Sequence, residues 1–165
     1  MKLTMAHHFD HPADQVWEMF HDPDSHVAKF TSMGHRDLEV LEQAQTDQTL
    51  DLTIRRTVEL EVPSIAKKLL SPSNTVTSVD HWEQRADGTW GGHYSVDIKG
   101  VPAKTSGKTN LVAAADGGAD YTVELEVKVS VPLIGEKVAG ALRPQLEAQL
   151  EAEFAACDTW LAERA

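Results

Sequence analysis

LIGEKVAGALRPQLEAQLEAEFAACDTWLAERA, residues 133–165, places Val138, Leu142, Leu146, Leu150, Phe154, Cys157 and Leu161 three or four positions apart, as on one face of an α-helix. At 1.5 Å rise per residue this stretch makes a rod of about 50 Å. Pro144 falls inside the pattern. It lacks the N–H for one backbone bond and its ring meets the carbonyl one turn back, so a kink is expected over 141–144. A rod with one apolar stripe needs a surface to lie on, and the residues before it have to supply that surface.

They do so with a period of two. Leu50, Leu52, Ile54, Val58, Leu60 and Val62 alternate with Asp51, Thr53, Arg55, Thr57, Glu59 and Glu61; Tyr121, Val123, Leu125, Val127, Val129 and Val131 alternate with Thr122, Glu124, Glu126, Lys128 and Ser130. Strands of this kind belong to a sheet covered on one side only. Weaker alternation marks strands over 36–43, 74–84, 89–99 and 103–115, separated by turn signals at Asp87-Gly88, Gly100-Val101-Pro102 and Asp116-Gly117-Gly118. A further strand opens the chain, with Leu3, Met5, His7 and Phe9 on one side. Together these make seven strands, joined mostly by hairpins and so antiparallel. Between the first strand and the second, Pro12 starts a helix with Ala13, Val16, Trp17 and Phe20 on one face, and Asp22-Pro23 starts a second, ending near Gly34. Pro63 and Pro72 bracket a segment with apolar residues at helical spacing, read as a loop carrying a helical turn.

At 165 residues, 41% hydrophobic and 25% charged, the chain fits one globular domain, 1–165. The opening residues carry His7, His8, Asp10, His11 and Asp14, so no signal peptide is read there, and no run approaches a membrane span. The expected setting is the cytoplasm, without integral membrane association. A net charge of −11 without a basic stripe argues against a nucleic-acid partner. Cys157 stands alone, which excludes an internal disulfide.

The order strand, two helices, six strands, long helix resembles the START-like (SRPBCC, polyketide cyclase-like) superfamily. The most specific pieces are Asp10-His11-Pro12-Ala13-Asp14-Gln15-Val16-Trp17, similar to that superfamily's proline-led first helix, and Val131-Pro132-Leu133-Ile134-Gly135 before the last helix. The second piece, with Gly100-Val101-Pro102, resembles an uncharacterised domain-of-unknown-function branch. The resemblance implies an α+β helix-grip fold, a curved seven-stranded antiparallel sheet wrapped around the C-terminal helix, with a pocket between them. It specifies fold and not chemistry, since binders, cyclases and interaction modules share the scaffold.

For that pocket the expected ligand-facing residues are His7, Ile54, Arg56, Trp90 and Tyr94 from the sheet and Leu142, Leu146, Leu150, Glu153 and Phe154 from the helix. Gly92 is read as space beneath a ligand, and Ile65, Leu69 and Leu70 as a lid. No metal is expected, because His7 and His8 point to opposite faces of a strand and no His-Glu-x-x-His spacing occurs. No catalytic residue or cofactor is assigned: nucleophile elbow, phosphate-cradling loop and dinucleotide fingerprint are all lacking, and Cys157 lies on the packing stripe. Arg56 breaks the apolar face of its strand. A buried guanidinium there must pair with a carboxylate such as Glu153, reach water along its stem, or meet an acidic ligand group. The leading functional reading is binding or carriage of a hydrophobic small molecule, a lipid, polyketide or isoprenoid-like compound. The alternatives are a polyketide cyclase/aromatase-type enzyme and a protein-interaction module; the oligomeric state is open.

Overall fold

The computed structural model describes residues 1–165. Strand β1 (Lys2–Phe9) leads into helices α1 (Ala13–His21) and α2 (Pro23–Ser32). There follow β2 (Arg36–Gln45), β3 (Thr49–Glu59), a single 3-10 turn (Ser64–Ala66), β4 (Ser73–Gln84), β5 (Trp90–Ile98), β6 (Ala103–Ala113) and β7 (Ala119–Val129). The chain closes with α3 (Gly135–Ala141) and α4 (Arg143–Glu163). All seven strands form one antiparallel sheet in the order β1-β7-β6-β5-β4-β3-β2, so from β2 to β7 each strand neighbours the next in sequence, joined by a short connection everywhere but at 60–72 between β3 and β4. This is the helix-grip fold, with the long C-terminal helix held against the curved sheet.

Local chemistry sets the boundaries. The Asp22 side chain accepts the Asp24 amide at 2.9 Å and Pro23 needs no partner in the first turn, so α2 restarts immediately after α1 stops. The expected kink in the C-terminal rod falls at Leu142, a single residue of helical φ and ψ between α3, which ends at Ala141, and α4, which begins at Arg143; Pro144 sits in the first turn of α4, where a missing N–H costs nothing. The expected start at 133 moves to Gly135, and Leu133 takes a positive φ of 70° in the connection. Strand β3 ends at Glu59 rather than continuing to Val62. Edge strand β2 is almost wholly exposed and carries two register shifts, an arrangement that discourages pairing with another chain.

The core is split. A main cluster of 23 buried residues fills the space under α1, α2 and the C-terminal half of α4. A small one, Ala66, Leu70 and Val138, lies under the 3-10 turn and α3, with Leu60, Leu69, Val101 and Leu142 packed against it. Val129 packs against both, and beside it a space is left between sheet and helix.

Candidate functional site

The gap between the clusters is a cavity in two connected parts. The outer chamber, about 140 Å³, is lined by 22 residues of which 17 are hydrophobic, so it suits an apolar body. Its walls are Val58, Val76 and Ile98 from the sheet, Leu60, Leu69 and Leu70 from the segment after β3, and Leu142, Leu146 and Leu150 from the C-terminal helical stretch. The inner chamber, about 70 Å³, lies deeper towards α2 and is of different character: Lys29, Ser78, Asp80, Thr109, Tyr121 and Cys157 share its walls with aromatic rings. Arg56, Tyr94, Val96, Leu150 and Glu153 border both chambers.

Sheet register explains why polar groups converge here. Leu52 pairs with Asp80, Asp80 with Tyr94, and Tyr94 with Gly107 across β3, β4, β5 and β6. Residues opposite one another share a face, so Asp80 and Tyr94 point to the same concave side as Leu52. A Cβ at Gly107 would come within 2.4 Å of the Tyr94 ring, so that glycine is what lets the tyrosine lie across the sheet.

Arg56 is 5% exposed. Its Nε donates to His35 Nδ1 at 3.1 Å, its Nη1 to Ser78 Oγ at 2.9 Å, and its guanidinium lies 3.7 Å above the Phe30 ring centre. Nη2 makes no hydrogen bond within the protein. Of the three outcomes expected for this residue, escape to water is excluded by burial and direct pairing with Glu153 does not occur. Glu153 instead pairs with Lys29 at 3.3 Å, and the carboxylates of Glu153 and Asp80 act on Arg56 only through space. His35 must be neutral to accept from arginine, and burial together with that neighbouring cation pushes its pKa down to about 4.

Asp80 has no ion-pair partner within 4.0 Å. Burial pushes its pKa up to about 6 against the opposing pull of Lys29 and Arg56. It is only half-buried by solvent accessibility because the space it touches is the cavity. Burial lowers the Lys29 pKa, but the surrounding anionic groups, Glu153 first, outweigh it and hold the lysine charged. Burial pushes the Cys157 thiol up to about 12, which leaves it protonated and unreactive. With Asp80 protonated the inner end carries one excess positive charge, from Arg56 and Lys29 against Glu153; with Asp80 ionised it is balanced.

The structure brings together Arg56, Tyr94, Leu142, Leu146, Leu150, Glu153, Leu69 and Leu70 on the outer chamber and Phe154 on the inner one. It places four expected residues elsewhere. His7 bonds Asp158 through Nε2 at 3.1 Å and stacks on the far side of Phe154. Ile54 is fully buried in the main core. Trp90, at the opposite end of the sheet from the outer chamber, packs against that core and lines neither chamber. Ile65 is 39% exposed and lines neither chamber. Gly92 leaves no space for a ligand: a Cβ there would lie 1.7 Å from the His81 carbonyl oxygen, so this glycine serves close strand approach. Lys29, Ser78 and Asp80 were not foreseen as site residues. The alternation Val76, Ser78, Asp80, Trp82 carried a signal for two of them, since it puts a serine and an aspartate on the face of a buried tryptophan.

The chain belongs to the family described as "Protein of unknown function (DUF2505)", whose model matches residues 4–161. No curated protein matches the chain in sequence. In fold it is similar to Ara h 8.0201, at 14% identity and a TM-score of 0.64, covering 99% of this chain and 98% of that one. It is also similar to the ZhuI aromatase/cyclase from Streptomyces sp. R1128, at 16% identity and 0.63, covering 99% and 94%. Human STARD10 matches at 11% identity and 0.60, over 94% of this chain and 62% of that one. These likenesses establish the START-like fold. No helix is long and apolar enough to cross a membrane.

Proposed function

We propose that the protein binds a hydrophobic small molecule of amphiphilic build in the two-part cavity, as a cytoplasmic carrier without a nucleic-acid partner. The apolar body occupies the outer chamber and a polar or acidic head meets Arg56 at its inner end. One observation carries this reading: an apolar chamber leads directly to a buried cation that has a free donor and no carboxylate in contact. The fold likeness to an aromatase/cyclase and to a START protein supports it at the level of architecture. Displacement of a fluorescent apolar probe by fatty acids tests it, alongside native mass spectrometry for a co-purifying molecule. Competition by saturated acids is expected; failure of every acidic amphiphile to compete would remove the acidic head from the reading.

A second reading rests on Asp80. A carboxyl group titrating near neutrality, opposite Tyr94 and beside Arg56 in an enclosed site, is equipped to move a proton on a bound polyketide-like chain. Cyclisation of a poly-β-keto thioester by the wild type, lost in Asp80→Asn while probe binding persists, is the outcome that would make the protein an enzyme.

A further inference from the structure

Three connections meet around the mouth of the outer chamber: 60–72, 99–102 and 130–134. They are tied together, because Leu69 and Val101 pack on the same small cluster and the Ser130 amide donates to the Pro102 carbonyl at 2.7 Å. Two properties converge on this rim. The first is charge. Lys67, Lys68 and Lys99 stand there against Glu61, a local balance of +2, which leaves −13 on the remainder of a chain whose total is −11; Lys104, at the start of β6, has Asp97 opposite it across the strands. All three lysines are exposed and none has a carboxylate within 4.0 Å.

The second property is apolar exposure. Leu133 is 100% exposed, and Ile65 and Ile134 are each 39% exposed. Leu133 also holds a φ of 70°, a left-handed conformation that costs a branched side chain free energy, and the fold maintains it with the side chain in water. An apolar tip within a ring of unpaired lysines matches an anionic bilayer, where the ammonium groups meet headgroup charge and the tips reach the acyl boundary. An acidic protein would answer the lysines alone, and would need a separate socket for each tip.

We propose that this rim docks peripherally on anionic lipid membranes and turns the mouth of the cavity towards the bilayer. Docking stands on the rim and does not require an occupied cavity, so its failure and failure of the ligand reading are separate results. Flotation of the full chain with vesicles of phosphatidylcholine alone, or of phosphatidylcholine with phosphatidylserine, tests it. The chain is expected to float with phosphatidylserine vesicles at low salt, to detach as salt approaches about 0.5 M, and to ignore phosphatidylcholine alone. The double variant Lys67→Gln/Lys68→Gln is expected to lower the partition coefficient about tenfold or more, and Leu133→Ser several-fold. These positions are exposed, so thermal unfolding controls for folding; if Leu133→Ser shifts it, Ile65→Ser supplies the same readout. Absence from phosphatidylserine vesicles, equal flotation with both kinds, or indifference to the variants overturns the proposal. So does loss of vesicle binding in favour of an acidic protein partner.

Discussion

A guanidinium that keeps its proton is held at Arg56 by a neutral imidazole, a hydroxyl and an aromatic face, none of which cancels its charge. Arg56→Met retains the apolar stem and removes the charge together with its desolvation cost, so stability is expected to change by no more than about 2 kcal/mol, read from denaturant melts. Affinity for a carboxylate-headed amphiphile is expected to fall at least tenfold in probe displacement, about 1.4 kcal/mol; unchanged affinity would place the head elsewhere. Asp80 gives a pH signature. Its pKa stands near 6 in the folded chain against an ordinary 3.8, so between those values the native state binds more protons than the unfolded one and stability falls as pH rises. The neighbours Lys29, Arg56 and Glu153 are included in that balance. His26 and His35, pushed down to about 3 and about 4 chiefly by burial, act in the opposite sense over an overlapping window. The informative quantity is therefore the difference between Asp80→Asn and wild type. It is expected to move in favour of the variant from pH 4 to pH 7, by up to about 3 kcal/mol; a flat difference would mean that Asp80 does not carry a raised pKa.

Elements were more legible than contacts. The period of two over 50–62 and 121–131 and the period of three to four over 133–165 were visible because each face meets a different medium, water outside and core inside. Pro144 likewise marked the kink between α3 and α4. Which inward positions meet packed core and which meet cavity is decided by the distance between helix and sheet, and no local pattern encodes it. Ile54 and Val58 look alike in sequence, yet one is sealed in the main core and the other lines the outer chamber. Lys29 was missed for a related reason, since its partner Glu153 lies 124 residues away. The same distinction sets the cost of truncation along α4. Leu161 is buried in the main core, and Leu161→Ala is expected to cost about 2 to 5 kcal/mol; Leu146 is half-buried against the cavity, and Leu146→Ala is expected to cost under about 2. Equal losses in chemical denaturation would mean that no void lies beside Leu146. The segment 63–72 has little regular structure beyond its 3-10 turn, and its amides are expected to exchange faster than those of β3. Protection equal to β3 would rule out a lid that opens.

At the scale of the whole molecule, a one-sided sheet and a kinked C-terminal rod enclose a core in two pieces, and free energy is left unrealised in the space between them. Any molecule that binds the native state alone recovers part of it, by about 2.7 kcal/mol at a hundredfold excess over Kd. For a chain of this length that is a rise in Tm on the order of 6 to 10 °C. The architecture also dictates how the rise depends on ligand length. The outer chamber is bounded at its inner end by Arg56, Tyr94 and Glu153, so a head anchored there fixes where the tail begins. Each added methylene buried against Leu142, Leu146 and Leu69 contributes about 0.8 kcal/mol until the chamber is full. Further methylenes then emerge at the mouth, between Leu60 and Val101, and contribute much less. A series of saturated fatty acids is therefore expected to raise Tm progressively with chain length and then reach a plateau, and Arg56→Met is expected to depress the whole series. A rise that continues unbroken with chain length would describe an open groove, and a series with no rise at all would mean that the gap between the two clusters is not where the ligand sits.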